Sequence, residues 1–134
     1  MSVPINYLAV VVAALANYII GAIWYAALFR KAWTRLSGNA EMKVSVLSVV
    51  LALIGALLTS FILDHALVFA NSYLKTSGVA GGLMVGFLNW LGFIAPVTIG
   101  VVIYEKKPWL LWFLNNGYWL LSLLVMGVIL SLWT

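Results

Sequence analysis

An all-α integral membrane protein, with four transmembrane helices in an antiparallel bundle, is the fold class this sequence predicts, and three observations predict it. Of 134 residues, 66% are hydrophobic and only 7% charged, far outside globular usage. The few charges divide the chain into four apolar runs, 5–29, 44–69, 79–104 and 109–133, each at least the roughly 20 residues that span about 30 Å of hydrocarbon. The basic residues collect in alternate loops. Three acids and seven bases cannot supply the polar shell that a water-soluble fold of this size needs. A single domain, 1–134, holds all four helices.

Helix is preferred to strand because the runs are continuous rather than alternating, and only helices or closed barrels satisfy every backbone group in lipid. The first run does not read as a secretory signal, since no base precedes it and it is too long. Arg30, Lys31, Arg35 and Lys43 lie between the first two helices and Lys106 and Lys107 between the last two, while the opposite side has only Lys75. Six bases against one place loops 30–43 and 105–108 in the cytoplasm and both termini outside. The net charge of +4 is then the sum of the inner loops, suited to anionic lipid heads rather than to nucleic acid.

On the first helix Asn6, Val10, Ala13, Asn17, Gly21, Trp24 and Leu28 follow at steps of three and four and form one stripe. Asn17 sits near mid-bilayer on it, so it faces protein rather than lipid. On the second helix Ser48, Ala52, Gly55 and Thr59 form a narrow stripe that reads as a packing seam. The third carries Gly82, Gly86, Asn89, Phe93, Pro96, Gly100 and Tyr104 on one face, again with a mid-membrane amide. Gly82 and Gly86 make a GxxxG pair, which points to close helix approach and to a homo-oligomer, with a dimer expected. The matching amides and the basic, Trp-bearing ends of the first and third helices suggest two hairpins related by a pseudo-twofold along the membrane normal. On the fourth helix Asn115, Trp119, Ser122 and Met126 align, with Asn116 and Gly117 beside them.

The polar candidates are therefore Asn17, Asn89, Asn115 and Asn116 as an intramembrane polar site, and Gly21, Gly82, Gly86 and Gly100 as helix-packing positions. Asn17 and Asn89 are expected to hydrogen-bond to each other. Asp64 and His65 form a titratable pair toward the outer end of the second helix; adjacent helical residues diverge by about 100°, so they make no preformed dyad. The expected state of Asp64 is a hydrated interfacial acid, with a proton or cation site as the sharper reading.

No enzyme template fits. There is no cysteine and a single histidine, no metal or cofactor motif and no phosphate-cradling loop, and Glu41 and Glu105 lie in basic loops. Two functions remain: a non-enzymatic module that binds a lipid, a hydrophobic ligand or a partner, and a small oligomeric transporter or channel with an Asn-lined path. A bundle packed at normal density fills its own core, and no charge lies at mid-membrane, which favours the binding module.

The stretches "NYLAVVVAALANYIIGAIWYAALFRKAW", "FLNWLGFIAPVTIGVVIYEKKPW" and "FLNNGYWLLSLLVMGVILSLW" resemble the DUF1761 group, small bacterial membrane proteins defined by a domain of unknown function. Asn6, Gly21, Trp24, Tyr25, Lys31 and Trp33 carry the most specific part. The resemblance covers nearly the whole chain and implies four transmembrane helices in a bacterial inner membrane. It implies no reaction, ligand or functional residue.

Overall fold

A computed structural model describes residues 5–38, 45–75 and 78–133. Glu41, Lys43 and Thr134 lie outside the described residues. The described chain is helical and contains four helices long and apolar enough to cross a membrane: Tyr7–Leu28, Val46–Leu74, Gly78–Ile103 and Trp109–Leu132.

The first span is α1 (Tyr7–Ala22), capped by Asn6, whose side-chain oxygen accepts from the backbone amides of Leu8 and Ala9. That bond satisfies two of the donors every helix start leaves open. The span continues as a π-helical segment, Ile23–Leu28. A further helix, α2 (Arg30–Ser37), follows where the sequence suggested only a loop. Its Arg30, Lys31 and Arg35 are exposed while Ala32, Trp33 and Thr34 are half-buried, the division of an interfacial helix. Gly38 ends it with φ 80°, a left-handed cap that glycine adopts without a Cβ clash.

The second span, α3 (Val46–Leu74), starts with a reciprocal Ser45–Ser48 cap and runs five residues past the expected end. The third is not one helix. It comprises α4 (Gly78–Asn89), a π segment Trp90–Ile94, a turn, and α5 (Ile99–Ile103). The turn falls at Pro96, which has no N–H to donate and whose ring crowds the preceding turn. The fourth span, α6 (Trp109–Leu132), follows Pro108 directly and is the most buried.

Residue pairs give the register. As α1 runs from Asn6 through Asn17 to Trp24, its partners on α6 run back from Trp133 through Ser122 to Leu114. Along α4, Gly82 meets Gly127 and Gly86 meets Leu123, again in opposite order. A Cβ on Gly82 would overlap the Gly127 carbonyl, and one on Gly86 would lie 2.6 Å from the Leu123 oxygen. The GxxxG pair is thus consumed inside the protomer by α6, and it is not the assembly face expected from the sequence. Gly21 packs under the Tyr118 ring, whereas a Cβ on Gly100 would meet only Tyr104 of the same segment. Gly100 is therefore no close-approach point.

The core joins Ala9, Val10 and Ala13 of α1, Leu63 and Leu67 of α3, Val85 of α4 and Leu123, Met126 and Leu130 of α6. Only the later half of α3 takes part. Ser48, Ala52 and Gly55 are exposed, and Gly55 has no neighbour within 4 Å of a would-be Cβ, so the expected seam is not one. The packed stripe is one residue over, at Ala56, Ser60, Leu63 and Leu67. Because the first half of α3 stands off from its neighbours, a cleft is left beside it, and a second groove lies at the middle of the helix, over residues 58–63.

Candidate functional site

The cleft between the first half of α3 and the α1–α6 pair has a volume of about 450 Å³. Ser48, Val49 and Ala52 of α3 form one wall, Tyr18 and Ala22 of α1 another, and Trp33 of α2 closes it at one end. The α6 side presents Asn115 and Tyr118, with Asn17 and Tyr25 opposite them.

These polar groups form a ladder. Asn17 Nδ2 donates to Ser122 Oγ at 2.6 Å, and Tyr118 Oη donates to the Asn17 carbonyl at 3.2 Å. One level further, Tyr25 Oη donates to Asn115 Oδ1 at 2.8 Å. The Tyr25 and Tyr118 rings meet edge-on at 5.3 Å, and Trp33 approaches Tyr25 at 6.5 Å. Tyr25 reaches α6 because the π segment widens the helix there; such single-turn π insertions redirect side chains and recur at functional sites. Trp24, from the same segment, covers Gly117 and donates to the Leu114 carbonyl at 3.1 Å.

Asn17 and Asn89 do not meet. The partner of Asn17 is Ser122, and Asn89 Nδ2 donates to the Val85 carbonyl of its own helix at 2.8 Å. Asn89 lies instead on the other side of α3, in a groove of about 500 Å³ walled by Leu58, Ile62 and Phe93. Asn115 and Asn116, neighbours in sequence, also part company. Asn116 is 2% exposed and ties the break in the third span to α6. Its Nδ2 donates to Thr98 Oγ1 and to the Trp112 carbonyl, while the Trp90 indole donates to its backbone oxygen. Trp112 Nε1 caps the Ala95 carbonyl at 3.2 Å, beside Pro96. That cluster is structural: it satisfies the Ala95 carbonyl at the break and pairs the Asn116 amide with the Thr98 hydroxyl across to α6.

Asp64 is not a hydrated interfacial acid: it is fully buried, and neither carboxylate oxygen has a hydrogen-bond partner. His65 turns away, its Nδ1 donating to the Phe61 carbonyl at 2.8 Å and its ring lying against Phe61 and Phe69. The two share no bond, as their spacing requires.

Among the described residues, no three His, Cys, Asp or Glu side chains come together as a metal site. The cleft offers hydrogen-bonding amides and phenols in an apolar, aromatic frame. Sequence reasoning missed Tyr25, Tyr118 and Trp33 as walls and Ser122 as the partner of Asn17. A signal for Tyr118 is present, since Asn115, Tyr118 and Ser122 stand at steps of three and four, but Asn115, Trp119 and Ser122 fit that spacing equally well.

No curated protein and no solved structure matches this chain. The family model described as "Protein of unknown function (DUF1761)" matches residues 8–131, nearly the whole chain. The chain, four membrane-length helices with an aromatic and amide-lined lateral cleft, belongs to the DUF1761 family.

Proposed function

We propose that this protein is a non-enzymatic, multi-pass membrane module that holds an amphipathic, lipid-like ligand in the cleft beside α3. One observation carries the reading: the first half of α3 stands off from α1 and α6, and the gap of about 450 Å³ is lined by Asn17, Tyr25, Asn115 and Tyr118 rather than by apolar side chains alone. Tyr25 Oη occupies Asn115 Oδ1, and the Asn115 amide nitrogen remains to donate to a ligand oxygen. Trp33 of α2 borders the cleft, and Arg30, Lys31 and Arg35 of the same helix are exposed, a basic surface suited to an anionic lipid head.

The same reading includes an antiparallel four-helix arrangement in a cell membrane, with both termini outside and the basic loops in the cytoplasm. The opposed order of partners on α1 and α6 supports it. A pseudo-twofold between hairpins gains support from the π segments, which follow a mid-span asparagine in both the first and third spans. Assembly as a homodimer also belongs to the reading, through a face other than Gly82 and Gly86. A permeation path lined by amides fits less well, because Asn17, Asn89 and Asn116 occupy three separate places.

The test is ligand retention. Native mass spectrometry of protein purified in mild detergent with added phosphatidylglycerol is expected to show a bound lipid, and Ala52→Phe, which fills the cleft from an exposed position, to lose it with unchanged thermal stability. Ile62→Phe, in the other groove, should retain it. Equal retention by all three proteins would remove the cleft as the site.

A further inference from the structure

We propose that Asp64 is a proton-binding site inside the bundle, which carries its proton in the packed arrangement and releases it to water when the start of α1 lifts from α3. Asp64 is 0% exposed, and its two oxygens are the buried side-chain polar atoms that lack a hydrogen-bond partner among the described residues. An ionised carboxylate in that position is so costly that the group takes up a proton instead.

Burial outweighs what favours the ionised form, the charge His65 can carry and the Asn6 backbone N–H at the start of α1. On its own helix His65 points to Phe61 and Phe69, and Lys75 caps α3 eleven residues further on. From α1 the facing titratable group is Tyr7, an exposed phenol whose ring stacks on Phe61 at 6.4 Å. Neither α4 nor the last two turns of α6 bring an ionisable side chain. A metal cation needs several oxygen ligands, and no cluster of three acids or histidines exists among the described residues. A proton needs one oxygen.

The register supplies the route. Ser60 Oγ donates to the Val10 carbonyl at 2.8 Å, so Asp64, one turn along α3, stands beside the first turn of α1, one turn back from Val10. That first turn is held down by Asn6. Its side chain caps Leu8 and Ala9 and, through Nδ2, donates to the Trp133 carbonyl at 2.8 Å. Releasing this latch opens the seam between α1 and α3, and the proton leaves Asp64 for water; closing it requires a proton to return.

The site is independent of the cleft, and infrared spectroscopy in lipid tests it. The chain has only three acidic side chains, so the carbonyl stretch of a protonated carboxyl can be assigned by subtracting Asp64→Asn. At about pH 6 the wild type is expected to show that band and at about pH 9 to lose part of it; Asn6→Ala should lose it at lower pH than the wild type. Amide exchange over residues 7–13 is expected to be equal in wild type and Asp64→Asn at about pH 6 and roughly tenfold faster in the wild type at about pH 9. Should Asp64→Asn fail to fold, labelling of the wild type by a hydrophobic carbodiimide replaces it, since the reagent attacks a protonated carboxyl and the adduct is located by mass. A carboxylate already ionised at about pH 6, no adduct on Asp64, or exchange that matches at both pH values would each overturn the proposal.

Discussion

Asn17 donates to Ser122 and accepts, through its backbone and side chain, from Tyr118, so stability at this level belongs to a pair on two helices. Asn17→Leu and Ser122→Ala should each destabilise, and the double variant should lose about 0.6–2 kcal/mol less than the sum, the range of interhelical bonds in membranes. Asn17→Leu and Asn89→Leu, by contrast, should add, because they share no bond. Denaturant titration in micelles measures both cycles. Asn116 carries more than either. Asn116→Leu removes two bonds at the Pro96 break, to Thr98 Oγ1 and to the Trp112 carbonyl, while Thr98 Oγ1 keeps the Ile94 carbonyl, so the expected loss is roughly 0.5–1.5 kcal/mol for each bond removed. That all four amides lie in membrane-length runs was readable from position along the chain. Which partner each would choose was not, since Ser122 and Thr98 are no more conspicuous than the other hydroxyls.

At the scale of elements, glycines separate real seams from apparent ones. The Gly82 and Gly127 backbones touch, and neither can yield to a new Cβ, so Gly82→Ala should cost roughly 1–3 kcal/mol. Gly55 faces open space on the free half of α3. Gly55→Ala should therefore leave the fold unchanged and add up to about 1 kcal/mol from helix propensity alone. Thermal unfolding in one detergent compares the two variants directly. The π segments explain where stripe reading slips. An i→i+5 turn admits one residue more than an α turn and rotates the faces beyond it. Leu28, aligned by count with Asn17 and Gly21, is consequently 65% exposed, while Tyr25 joins α6.

For the whole molecule, the proposed orientation is tested by reporter fusions. A reporter active only in the cytoplasm should be active after Lys107 and silent on Thr134, and the reverse pattern would invert the topology. Exposed apolar side chains such as Ile19, Leu58, Phe93 and Val97 cover the outside of the bundle, as the composition requires when lipid is the solvent.

The number of membrane-length helices and their approximate limits follow from the sequence by itself, because hydropathy and length are properties of position along one chain. The family was legible in the same way, from residues spread over nearly its full length. The tertiary structure alone decided which faces meet. GxxxG reads the same whether it meets another copy or α6, and Asp64 near a helix end reads as hydrated until the start of α1 is laid across it. Both outcomes depend on the rotation of each helix about its axis and on register between helices far apart in sequence. A periodic pattern constrains these weakly, and the inserted π turns and the Pro96 break shift them further.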